Sequence, residues 1–275
     1  MANITASLVN ELRKRTGVGM MDCKKALVEC DGDMDKAIDY LREKGQKLAA
    51  KRADRDASEG AVLAAVNQDK TFAAVIMMNC ETDFVAKNDG FVDFAKSVLN
   101  AAIAAKAKDL QAVMSLTIDG VSVETMIIDQ VAKIGEKITL SHYLPIEAPA
   151  AYAYVHPGNR MASVVGLSKT GYDEEGKEMA MQVIAGRPVA LNKATVPAEV
   201  IEREMEVYRG QVREEGKPEN MVEKIAEGKL NKFFKESTLL SQEYTREAKV
   251  SVEEHLKKID KDLTVTAFQR AELGE

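Results

Sequence analysis

An unbroken apolar run, Phe72-Ala73-Ala74-Val75-Ile76-Met77-Met78, constrains this chain more than any other feature. It follows the polar Gln68-Asp69-Lys70, before which Val62, Ala64 and Val66 recur at every second position. Two such runs around so short a turn predict a β-hairpin whose second strand is buried. Asn88-Asp89-Gly90 then opens a helix in which Phe91, Phe94, Ala95, Val98, Leu99 and Ala102 keep a helical period. A second helix spans Ser122 to Lys133 and ends at Gly135, and Lys137 to Ile146 alternates loosely as a third strand.

The plan recurs in shorter form. Ala151 to His156 and Arg160 to Ser168 read as strands around the turn His156-Pro157-Gly158-Asn159, and Tyr172 to Ile184 is helical. Hairpin followed by helix occurs twice, which reads as two related α+β units.

The ends of the chain differ. From Met1 to Arg55, apolar residues at i, i+3 and i+4 mark three short helices, broken at Thr16-Gly17-Val18-Gly19 and at Asp31-Gly32-Asp33. Gly45 reads as the end of the third helix, and Lys47 to Arg55 as a charged, exposed linker. So small a bundle has little area to bury and leans on the rest of the chain or on a partner. It is locally basic, on a chain of net charge -6. After Pro197, Ile201, Met205, Tyr208 and Val212 recur at the seam spacing of paired helices. Glu214 to Pro218 breaks the pattern, and Val222, Ile225, Ala226 and Leu230 return. The result is an antiparallel helical hairpin, its seam closed on itself or paired with a second subunit. Ser251 to Lys258 then forms a small helix, and Leu263, Val265 and Ala267 a last strand.

The expected fold is therefore α+β and multidomain. Residues 1–55 form a three-helix partner-binding domain with a linker, and 56–147 a first α+β unit. Residues 148–199 with 241–275 form a second α+β unit, from which 200–240 project as the hairpin.

Chemistry is scarce. Gly17-Val18-Gly19 lacks the rest of a nucleotide-binding loop. Asp31, Asp33 and Asp35 imitate the start of a calcium loop, but Lys36 and Arg42 stand where the turn glycine and the bidentate glutamate belong. His142, His156 and His255 have no partner at metal-ligand spacing, so neither a metal nor a cofactor is expected. Three sparse cysteines, Cys23, Cys30 and Cys80, read as reduced thiols of a cytoplasmic protein, and Cys80 as a packed one. The acidic net charge and an aromatic content of 5 % without Trp argue against direct nucleic-acid binding. No apolar stretch is long enough for a membrane span, and Met1 to Arg15 hold no apolar run of a signal peptide.

One segment stands out. In Cys80-Glu81-Thr82-Asp83-Phe84-Val85-Ala86-Lys87-Asn88, Phe84 is a large apolar group within a polar loop. Either it folds back into the core while Thr82 or Asp83 caps a short helix, or it is exposed as an interface anchor beside an anionic group. The two coexist if the cap forms and Phe84 points outward.

This segment, Thr82 to Asn88, together with Thr16-Gly17-Val18-Gly19-Met20-Met21-Asp22-Cys23-Lys24-Lys25-Ala26-Leu27, resembles the two signatures of the bacterial translation elongation factor Ts family. Gly216-Lys217-Pro218 and Glu227-Gly228-Lys229-Leu230 are similar to its hairpin region, and His156-Pro157-Gly158 to a functional His-Gly turn that Pro157 interrupts.

The resemblance implies a guanine-nucleotide exchange factor that binds elongation factor Tu, in GDP-bound and nucleotide-free forms, without bond chemistry of its own. It implies that the first domain is ubiquitin-associated-like and that Met20, Met21 and Lys24 contact the partner's nucleotide domain. Thr82, Asp83, Phe84 and Val85 are implied in dislodging Mg²⁺, with Phe84 as a wedge, and His156 and Gly158 in contacting another partner domain. The hairpin, through Ile201, Met205, Tyr208, Val212, Val222 and Ile225, is implied as a coiled-coil dimerisation module supporting a two-to-two complex. A C-terminal helical module is implied to begin near Leu273-Gly274-Glu275. The competing classes are an adaptor without exchange activity and an enzyme built on Cys80.

Overall fold

The computed structural model describes residues 4–275; the first three positions of the expected N-terminal domain, Met1 to Asn3, lie outside the described residues.

Three helices open the chain: α1 (Ala6–Thr16), α2 (Met20–Glu29) and α3 (Met34–Arg52). Thr5 caps α1 and Asp33 caps α3, each side chain accepting from backbone amides of the first turn. Val9, Leu12, Val18, Cys23, Ala26, Leu27, Ala37 and Leu41 bury a small core of their own. Two expectations fail here. Gly45 does not end the third helix, and Lys47 to Arg55 is no linker, because α3 continues to Arg52. Gly45 is buried where α3 crosses a later helix, and a Cβ there would stand 2.9 Å from the Ala132 Cβ. The missing side chain permits close helix packing, not a turn.

The first sheet holds β1 (Glu59–Val66), β2 (Phe72–Cys80) and, later, β5 (Thr139–Glu147), all antiparallel with β2 central. Every β2 residue is buried. Between β2 and β5 lie α4 (Asp83–Ala86), α5 (Asp89–Ala104), α6 (Leu110–Ser115), a small hairpin of β3 (Thr117–Ile118) and β4 (Val121–Ser122), and α7 (Val123–Ile134). Phe91, Phe94, Ala95, Val98, Leu99 and Ala102 of α5 bury against Ile76, Met78 and Cys80 on one face of the sheet.

The second sheet is built alike. The hairpin β6 (Ala150–Val155) and β7 (Met161–Leu167) is followed by α8 (Asp173–Gly186), and the final strand pairs antiparallel with β7. The other face of the first sheet meets this one through Val62, Val75, Met77, Ala151, Ala162, Val164 and Leu273. This explains the uninterrupted apolar run: β2 is covered on both sides.

Between α8 and the last strand the chain runs out along α9 (Ala198–Glu214) and back along α10 (Glu219–Ser237). The two ends of this excursion are tied by the Val189 amide donating to the Ser237 carbonyl and the Leu239 amide to the Ala190 carbonyl, both at 2.9 Å. The chain then forms α11 (Val252–Ile259), with Ser251 and Glu254 as a capping box, and β8 (Val265–Glu272). Among the described residues, no helix is long and apolar enough to cross a membrane.

Candidate functional site

β2 ends at Cys80 and delivers the chain into α4, a single turn. Four residues cannot hold a helix by propensity alone. The Thr82 hydroxyl accepts from the Val85 amide at 3.5 Å. Behind this cap, the Glu136 carboxylate accepts from the Glu81 and Thr82 amides, each at 3.1 Å, and from the Thr82 hydroxyl at 2.7 Å. Val85 is half-buried against the main core. Phe84 goes the other way and is 85 % exposed. A phenyl ring is thus left open to water on a firmly tied turn. Asp83 forms an ion pair with Lys87 at 2.6 Å, and that ammonium holds its carboxyl below the usual carboxylate range.

Glu81 reaches toward the N-terminal helices. Its carboxylate accepts from Arg52 at 2.6 Å, from Arg55 at 2.9 Å and from the Lys137 amide at 2.6 Å. These donors, the Lys137 amide first, hold its pKa down to about 2. Lys137 in turn donates its ammonium to the Ala53 and Arg55 carbonyls, at 2.7 and 2.8 Å. Arg52, Glu81, Glu136 and Lys137 are the site residues that sequence reasoning missed. Their only signal was the charge itself, shared with many solvated positions.

Met20 and Met21 stand 52 % and 64 % exposed in the first turn of α2, and Lys24 is exposed one turn on. On the opposite side of that helix, Cys23, Ala26 and Leu27 are buried. His156 and Gly158 are exposed in the β6–β7 turn, with Gly158 at φ 90°. The Tyr154 hydroxyl lies 3.1 Å from His156 Nδ1. This turn is tied to the first sheet: the Asn159 carbonyl accepts from the Val62 amide at 2.8 Å, and Arg160 pairs with Glu59 at 2.7 Å. Glu59 lies directly across the hairpin from Cys80. The His156 turn and the Phe84 turn therefore flank the same end of that sheet, and the Arg52–Glu81 pair joins α3 to it.

The hairpin residues are not part of this assembly. Met205, Val212 and Val222 are buried and Ile201, Tyr208 and Ile225 half-buried, so the seam closes largely between α9 and α10. Arg209–Glu223, Arg213–Glu219 and Lys229–Glu215 pairs cross it. Val207 and Met221 are the large apolar side chains left open there.

Cys80 is fully buried, and burial pushes its thiol up to about 12. Burial of this kind keeps a thiol protonated at neutral pH and lowers its reactivity. A cavity of about 710 Å³ lies between Gln182, Gly186 and the segment from Leu240 to Glu254, away from Phe84. Among the described residues, no three His, Cys, Asp or Glu side chains gather to hold a metal.

A sequence model described as "Elongation factor TS" matches residues 81–275, and one described as "Elongation factor Ts, mitochondrial, N-terminal" matches residues 1–49. Proteins named elongation factor Ts align with the full chain. The one from Christiangramia forsetii is 50 % identical over 276 residues, and that from Flavobacterium psychrophilum 45 %, each alignment covering 100 % of both chains. That from Chlorobium phaeobacteroides is 43 % identical over 287 residues, again with both chains covered fully.

Proposed function

The chain belongs to the elongation factor Ts family, and we propose that it binds elongation factor Tu in its GDP form, displaces Mg²⁺ and promotes GDP release, so that GTP can bind during translation elongation. The observation that carries this reading is the exposure of Phe84 on a turn that is tied through the amides of Glu81 and Thr82 just before it.

GDP is held with Mg²⁺ through phosphate oxygens and a protein hydroxyl. An exchange factor needs no bond chemistry; it needs to bind the nucleotide-free partner more tightly than the nucleotide-bound one. Phe84 acts as the wedge that separates packed side chains of the partner. Asp83 lies beside it and disfavours the backbone arrangement that holds the phosphates, while Thr82 and Val85 fix the turn from which both project. Met20, Met21 and Lys24 supply an apolar and basic contact for the partner's nucleotide domain. His156 and Gly158 contact a second domain, so the grip spans the partner on both sides of the wedge. A two-to-two complex through the hairpin belongs to the same proposal, with Val207 and Met221 as the apolar material on its outer face.

The test is stopped-flow release of a fluorescent GDP analogue from elongation factor Tu, with excess unlabelled GDP, at rising concentrations of this protein. The release rate is expected to climb and saturate. A rate independent of its concentration, with both proteins folded, removes exchange and leaves binding without exchange.

A further inference from the structure

We propose that Glu136 is a positioning residue for nucleotide exchange: it sets the direction of Phe84, and with Glu81 it braces that turn against the N-terminal helices. The proposal rests on the exchange reading above and names residues that act through Phe84 without touching the partner.

Phe84 has almost no packing of its own, so its direction depends on the backbone alone. One carboxylate ties the backbone that leads into that turn. Glu136 Oε2 accepts from two consecutive amides, those of Glu81 and Thr82, while Oε1 accepts from the Thr82 hydroxyl, whose oxygen in turn caps the Val85 amide. The arrangement is reciprocal. Glu136 holds the amide of Glu81, and Glu81 holds the amide of Lys137, the residue after Glu136, at 2.6 Å. Two loops far apart in sequence are thereby pinned to each other. Arg52, at the end of α3, and Arg55 supply the positive charge that Glu81 meets, and so tie this junction to the N-terminal helices.

From the Glu81 pair the brace continues along α3, where Lys44 meets Asp22 of α2 at 2.6 Å, in the same first turn as the exposed Met20 and Met21. The surface on α2 and the Phe84 wedge therefore belong to one frame. A tilt of about 10–20° at the turn is enough to spoil a constellation of this kind, and a displacement of about 1 Å can cost on the order of a hundredfold in rate.

Glu136→Gln is the sharpest perturbation. It keeps the shape, removes the charge, and leaves one acceptor oxygen where the carboxylate had two, so that an NH₂ faces either the two amides or the Thr82 hydroxyl. Release of the GDP analogue is measured at saturating and subsaturating factor for wild type, E136Q, F84A and the double variant. E136Q is expected to lower the plateau rate about tenfold and to leave the half-saturating concentration within about twofold. In the F84A background it is expected to cost less than about twofold more, because both changes remove the same action. Glu136→Asp, which keeps the charge and the acceptors, recovers part of the plateau and carries the test should E136Q not fold. Val131→Ala, a core substitution in α7, which ends two residues before Glu136, leaves the plateau unchanged and separates positioning from general loosening. A wild-type plateau in folded E136Q, or a full undiminished loss on top of F84A, overturns the proposal. Absence of acceleration by wild type overturns the exchange reading itself, and this proposal with it.

Discussion

Replacing Phe84 by Ala separates binding work from folding work, because the ring lies 85 % exposed. Removing it uncovers almost nothing in the folded chain. Stability is expected to change by no more than about 0.5 kcal/mol, as for other surface substitutions, which moves Tm by no more than about 2 °C in a protein of this size. Binding is another matter. A Phe side chain that becomes fully covered buries about 150 Å² or more, and at ~25 cal/mol per Å² this contributes about 4 kcal/mol. Alanine retains part of that contact, and the ordering of the ring offsets some of it. A loss of about 2–3 kcal/mol in the complex that releases GDP remains, a factor of about 30 to 150. The assay is the release rate per concentration of factor at subsaturating levels, with Tm measured on the same samples. An unchanged release rate refutes the wedge. A Tm lower by about 5 °C or more refutes the premise that the ring is free.

Further outcomes follow from the same geometry. Gly45→Leu forces a side chain against Ala132 and the Ile128 carbonyl, and is expected to destabilise the chain by about 1–3 kcal/mol in urea titration. Glu81 has a folded pKa depressed to about 2, so its contribution to stability is present above the ordinary glutamate pKa and is lost as pH falls from about 4.5 toward 2. Glu81→Gln should therefore be less stable than wild type at pH 7, with the gap narrowing at low pH; a gap that stays constant across that window contradicts the ion-pair account. Native alkylation by iodoacetamide at neutral pH should spare Cys80, which is buried with its thiol pushed up to about 12, and rapid labelling there would revive a thiol-based activity.

Local patterns were legible in the sequence where the physics is local. The hairpin turns, the caps at Asn88 and Ser122, and the facing seams of α9 and α10 follow from residues within a few positions of one another. Gly45 was misread because a glycine after an apolar helical face looks the same at a helix end as at a helix crossing. What distinguishes them is Ala132, on a helix that only the tertiary fold brings near. The short α6 and the two-residue strands β3 and β4 went unseen because Leu110 to Ser122 is too brief for a period to develop. The outward direction of Phe84 stayed open for a related reason. A one-turn helix has no face of its own, and Val85, not Phe84, is the residue that the core accepts. Least visible was the brace behind it. Glu81 and Glu136 looked like two acids among many, and only the meeting of loops more than fifty residues apart makes Glu136 the acceptor for the Glu81 amide and Glu81 the acceptor for the Lys137 amide.

The most direct test of the account is the affinity of this protein for elongation factor Tu, measured by titration calorimetry with the partner nucleotide-free and with the partner saturated by GDP and Mg²⁺. Exchange by differential binding requires GDP to weaken the factor by the same ratio by which the factor weakens GDP, with each tenfold worth about 1.4 kcal/mol. The account predicts much tighter binding to the nucleotide-free form, with the difference shrinking in F84A. Equal affinity for the two forms would contradict it, because a protein that binds both alike shifts nothing, however tightly it binds.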